Sequence, residues 1–243
     1  MFNTLFIRAG SLLACMGLAF SCHAKAISID TPLTVTALTH TLSKVAPKAD
    51  PKVIELALNA MQCATYGGMS PSQHLTVIDY SKASSEPRLW VFDLKSSKLL
   101  FEELVAHGKN TGEKYATNFS NTNGSLQTSL GLFVTKSTYH GANGYSLKME
   151  GLEKGFNDKA MERAIVFHGA PYVSDSWVKQ HGRIGRSWGC PAVNRGVAKK
   201  VIDTIKGEQF LFSYYPDEKW LSSSEFLNCN RRNANKKIQI VSN

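Results

Sequence analysis

Apolar and polar positions along the chain change their period once, and the change divides the sequence. Val35, Leu38, Leu42 and Val45 recur at helical spacing, which predicts an amphipathic helix that Pro47 ends. Asp50-Pro51 then opens a second helix, with Asp50 as N-cap and proline at the first helical position. Ile54, Leu58, Met61 and Ala64 supply its apolar face, and Gly67-Gly68 stops it. From residue 75 the period falls towards two. Leu75–Tyr80, Arg88–Asp93, Lys98–Ala106, Gly131–Ser137, Tyr145–Gly151, Ala164–Phe167 and Gln209–Tyr215 read as strands. Asp93 to Ser97 is a hairpin connection, and Asn118–Ser129, rich in Asn, Ser, Thr and Gly, reads as a loop. Val197–Ile205 is a helix with Gly207 just beyond it. The expected fold is mainly β, a closed sandwich or barrel with few helices, carrying a small N-terminal helical appendage over residues 25–68.

The first residues read differently. Arg8 precedes the apolar run Ser11–Phe20, and Cys22-His23-Ala24 places small residues at both cleavage-recognition positions. That order marks residues 1–24 as a secretory signal peptide cleaved near Ala24, too short in its apolar run to act as a spanning helix. The chain is expected in an exported compartment without a stable membrane anchor. The remaining organisation is a catalytic-sized domain over 69–217 and an extension with a basic tail over 218–243.

The formal net charge of the 243-residue chain is +9. Such a charge suits nucleic acid, an anionic membrane surface or an anionic wall polymer; export excludes nucleic acid as the partner. The histidines show no metal-ligand spacing, so neither a metal nor another cofactor is expected. Beyond the leader the chain keeps Cys63, Cys190 and Cys229. An odd count in an oxidising compartment implies one pair and one free thiol, and three pairings are open.

The chemistry concentrates in Ile165–Asn194. A strand runs into His168-Gly169, a Gly- and Arg-rich loop follows, and it ends in Ser187-Trp188-Gly189-Cys190-Pro191. A thiol attacks as its thiolate and needs a base or a positive field to form one near neutral pH. His168 is the candidate base, and Arg183, Arg186 and the helix after Cys190 are candidate sources of the field. Gly185 and Gly189 let the chain turn sharply and offer amide N–H groups to a developing oxyanion. Gly169 leaves room for close approach to the base. Ser187 reads as a structural hydrogen-bonding residue, and His140 and His181 as loop and surface histidines.

These residues resemble the L,D-transpeptidase catalytic domain, the YkuD-type fold, in which a strand ending in His-Gly precedes a Ser-His-Gly-Cys loop. The closer likeness is to its murein L,D-transpeptidase subgroup, through His168–Ser174 (HGAPYVS) and Gly185–Ala192 (GRSWGCPA). Upstream, Arg88–Asp93, Val105–Gly108 and Thr128–Phe133 match the family's preceding strands and turns. Trp188 departs from the wider family, which carries a histidine there. The resemblance implies a peptidoglycan L,D-transpeptidase acting on stem peptides through a thioester on Cys190. His168 is then the base, and the Gly169 carbonyl orients its ring. Arg186 and Arg183 hold substrate carboxylates, and Tyr172 and Trp188 wall the pocket. The motif's need for a free thiolate then assigns the disulfide to Cys63–Cys229. L,D-carboxypeptidase action on the same substrate, or wall binding without turnover, are the competing readings.

Overall fold

Helix α1 (Val35–Val45) begins at Thr34, whose Oγ1 accepts from the Ala37 amide at 3.2 Å. These first coordinates belong to a computed structural model that describes residues 34–229. The expected leader at 1–24 and the end of the basic tail lie outside the described residues. Helix α2 (Pro51–Tyr66) starts as the sequence predicts: Asp50 Oδ1 accepts from the Lys52 amide at 2.8 Å, with Pro51 at the first helical position.

Eight strands follow in one sheet: β1 (His74–Asp79), β2 (Leu89–Asp93), β3 (Lys98–Glu103), β4 (Gly131–Gly141), β5 (Gly144–Gly151), β6 (Val166–Ala170), β7 (Ala192–Asn194) and β8 (Phe210–Tyr214). Their order across the sheet is β3-β2-β1-β8-β4-β5-β6-β7. Pairings are antiparallel except β1 with β8 and β6 with β7. The two ends of this order meet. Just beyond β3, the Ala106 amide donates to the Ala192 carbonyl of β7 at 2.8 Å, so the sheet nearly closes on itself. The expected mainly β, barrel-like fold with N-terminal helices is what the chain adopts.

Alternation along the central strands sends neighbouring side chains into two cores. Leu89 and Val91 of β2, Ile78 of β1, Phe133 of β4 and Leu211 of β8 face one core. Trp90, Phe92, Leu75, Val77, Leu132, Phe210 and Phe212 face the other. A strand buried on both faces reads as a continuous apolar run, which is why RLWVFD and QFLFSYY look as they do. Helix α4 (Arg195–Ile205) covers the first core with Ala198, Val201, Ile202 and Ile205, an i, i+3, i+4, i+7 stripe. The second core is covered by Val53, Ile54, Ala57 and Leu58 of α2 and by Trp220 of α5 (Glu218–Ser223). The N-terminal helices thus share a core with the sheet rather than forming one of their own.

Three elements escape the periodicity argument. Helix α3 (Asp175–His181) and α5 are too short to show a stripe, and β7 is three residues long. Strand β3 ends at Glu103, short of the expected Ala106, whereas β4 runs to Gly141 and forms a long hairpin with β5.

Cys63 of α2 is bonded to Cys229, with Cα atoms 5.9 Å apart and a sequence separation of 166. A cross-link of this span removes substantial freedom from the unfolded chain, and such bonds persist in oxidising compartments. Replacing both cysteines by serine is expected to cost about 2–5 kcal/mol. Denaturant unfolding of the oxidised protein and the double variant measures it; coincident midpoints would refute it.

Candidate active site

Strands β6 and β7 build the site because they lie side by side and parallel, with His168 in register with Ala192. Cys190 sits two residues before that register point, and the His168 amide donates to the intervening Pro191 carbonyl at 3.3 Å. Both side chains open into one cleft of about 470 Å³, within the usual range for ligand pockets. Tyr172, Arg186, Ser187 and Trp188 also line it, together with Ala142 and Asn143 from the tip of the β4–β5 hairpin. Trp188 is 78% exposed, an unusual position for a tryptophan and one that leaves its ring free at the rim.

His168 is almost wholly buried. Its Nδ1 lies 3.2 Å from the Gly169 carbonyl. A carbonyl can only accept, so Nδ1 carries the proton and Nε2 is left as an acceptor, the tautomer a general base needs. Burial holds the imidazole below its ordinary value of 6.5, only partly offset by that hydrogen bond. The expectation for Gly169 itself needs correction. A Cβ there would lie 2.7 Å from the Ala198 Cβ and 3.1 Å from the Arg195 Cα. The glycine therefore admits helix α4, not substrate, against β6.

Cys190 is the free cysteine of the described residues and is 9% exposed. The segment just before β6 wraps its sulfur. The Val166 amide donates to Sγ at 3.4 Å, and the Ala164 carbonyl lies 3.7 Å from Sγ on the thiol-donor side. Ala164 holds φ of 53°, a left-handed conformation that costs a non-glycine residue energy and fixes where its carbonyl points. Burial raises the thiol above its ordinary 9.0, while the Val166 amide and then the Arg163 charge pull it back.

Ser187 clamps the turn around the cysteine. Its Oγ donates to the Cys190 carbonyl at 2.6 Å and accepts from the Gly189 amide at 3.1 Å. The Gly189 N–H is thereby committed, which corrects the expectation that it faces an oxyanion. Gly189 itself is required: φ is 123°, and a Cβ would lie 2.8 Å from the Gln127 carbonyl oxygen. The turn rests on a neighbouring segment, with Ser187 N to His107 O at 2.9 Å and Lys109 N to Ser187 O at 2.7 Å.

The arginines differ from expectation. Arg183 and Arg186 converge on Glu113, at 2.9 and 2.7 Å, and Arg186 also donates to the Lys109 and Gly112 carbonyls. Both pair with the same loop carboxylate, and the cation whose charge favours ionisation of the sulfur is Arg163, which the sequence reading missed. Nothing in an isolated arginine ahead of a strand signals such a placement. His181 is exposed and packs against Trp177, while His140 lies on exposed β4 against Tyr145.

Residues 45–214 match the family described as L,D-transpeptidase catalytic domain. That match spans well over half of the chain, and the chain belongs to this family. Among solved structures, an L,D-transpeptidase from Mycobacterium smegmatis is similar at 13% identity and a TM-score of 0.38, covering 59% of each chain. Bd1075 of Bdellovibrio bacteriovorus shares 17% identity at a TM-score of 0.38, over 69% of this chain and 56% of that one. An L,D-transpeptidase from Stackebrandtia nassauensis shares 13% at 0.34, over 74% and 77%. The chain thus spans under two thirds of the length of the first two. No curated protein sequence matches it.

Burial moves the two titrating groups apart, imidazole down and thiol up, so both are neutral at neutral pH. Alkylation of Cys190 by iodoacetamide should therefore rise only on the alkaline side, above the ordinary thiol value of 9.0. A rate plateau persisting through neutral pH would mean a preformed thiolate–imidazolium pair and would overturn this assignment.

Proposed function

We propose that the chain is a cysteine-dependent peptidoglycan L,D-transpeptidase that works through a thioester on Cys190. The observation that carries this reading is a free thiol and a histidine of defined tautomer in one cleft, on adjacent parallel strands. His168 Nε2 takes the thiol proton as Sγ attacks the carbonyl between diaminopimelate and D-Ala of a tetrapeptide stem. The Cys190 amide receives the oxyanion. The C–N bond breaks, His168 returns the proton to the leaving amine, and D-Ala departs. An amine of a second stem then attacks the thioester, loses its proton to His168 and forms the new amide, restoring the thiol.

Tyr172 and Trp188 form the walls against which the stem lies. Glu113 must give way if Arg186 or Arg183 is to hold a stem carboxylate; its side chain is 68% exposed, and ion pairs so exposed contribute about 1 kcal/mol or less. The same reading takes residues 1–24 as the signal peptide, 69–217 as the catalytic domain and the periplasm as the working compartment, in keeping with the disulfide.

Incubation with tetrapeptide muropeptides tests the proposal. The wild type should yield crosslinked dimers, Cys190→Ala none, and His168→Ala at least about a hundredfold fewer. Tripeptides without dimers would instead assign hydrolysis, and wall chemistry unchanged in Cys190→Ala would leave only a binding role.

A further inference from the structure

We propose that Arg163 is a positioning residue whose charge readies the Cys190 sulfur for ionisation while its guanidinium ties the 120–129 loop to the floor of the cleft. This rests on the reading of Cys190 as nucleophile. Arg163 lines the cleft with Cys190 and His168. It immediately precedes Ala164, whose carbonyl contacts the sulfur, and lies three residues before Val166, whose amide donates to it. The same short segment, turned at Ala164, thus supplies both the arginine and the contacts to the sulfur.

The partners of Arg163 set it apart from the other two arginines. Nη1 donates to the Ser120 carbonyl at 2.7 Å and to Ser129 Oγ at 2.5 Å. Nη2 donates to Ser125 Oγ at 3.1 Å and to the Gln127 carbonyl at 2.7 Å. All four acceptors are neutral, and Nε is buried without a partner. Among the described residues no carboxylate pairs with Arg163, whereas Arg183 and Arg186 share Glu113. A partly buried cation without a counter-ion favours any anion formed beside it. The anion the cleft can form is the thiolate, and burial of Arg163 is itself partly offset by Cys190. The loop contacts hold the charge in place: Gln127, the residue Arg163 binds, is also the one whose carbonyl packs on Gly189.

The test reads the thiol directly, independent of turnover. Iodoacetamide alkylation of Cys190, followed by mass mapping across alkaline pH, is compared in wild type, Arg163→Gln, Arg163→Lys and Ser129→Ala. Arg163→Gln should alkylate about tenfold more slowly at a given pH, a shift of roughly one pH unit. Arg163→Lys, which keeps the charge but not the planar four-acceptor fork, should recover most of the rate. Ser129→Ala removes one of the four contacts and leaves the charge and the other three in place, so it should match the wild type. A folded Arg163→Gln with the wild-type profile overturns the proposal, as does Arg163→Lys falling as far as Arg163→Gln. Should Arg163→Gln not fold, the wild type decides. Anionic iodoacetate should react with Cys190 faster, relative to iodoacetamide, than it does with free cysteine; a ratio at or below the free-cysteine value overturns it. Normal alkylation shifts without any crosslinking would leave this inference standing and sink the transpeptidase reading instead.

Discussion

The parallel pairing of β6 with β7 is the constraint on which the site depends. Parallel strands fix register through evenly spaced, slanted hydrogen bonds, and here register sets His168 against Ala192. Slip β7 by one residue and its side chains change face, which would carry Cys190 away from the cleft. So short a strand cannot hold that register alone. It is held from both sides: by β6, and by the Ala106–Ala192 bridge that brings the far edge of the sheet round to meet it. Helix α4 then locks the pair from above, seated in the space left by Gly169. Barrel closure and the placement of the sulfur are therefore one event.

Much of this was legible in the chain. The central strands announce themselves because both faces of the sheet are buried, so β2 and β8 are apolar at nearly every position. The site's two ends were legible as well, because His-Gly at a strand end and Gly-Cys-Pro in a glycine and arginine loop have no ordinary core meaning. What stayed hidden shares a different character. Strand β7 carries too few residues to show a period, and its existence depends on partners from residues 106 and 168. Arg163 and Glu113 matter only through contacts closed by distant loops, and one arginine looks like another in sequence. The roles given to Gly169 and Gly189 illustrate the same limit: each glycine is needed, but for close packing and backbone clamping rather than for substrate.

The arrangement of charge around the cleft has a common logic. The basic groups that could stabilise an anion differ in what they are paired with. Arg183 and Arg186 share the single carboxylate of Glu113. Arg88, wholly buried just before β2, donates to the Val105 and Lys82 carbonyls and to His107, whose imidazole burial pushes down to about 3 and so leaves neutral. Arg163 alone of these faces the cleft without a carboxylate among the described residues. Fixed cations satisfied by neutral carbonyls make a rigid electrostatic background, which costs nothing to reorganise when charge appears nearby.

Cysteine order along the chain has its own consequence for biogenesis. The partner of Cys63 is Cys229, not Cys190, the next cysteine along the chain. A chain oxidised while it threads out N-terminus first would present Cys190 to Cys63 well before Cys229 arrives, and that early cross-link would trap the wrong thiol. Native pairing thus asks either for an isomerase in the same compartment, or for the barrel to close over Cys190 before any oxidant reaches it.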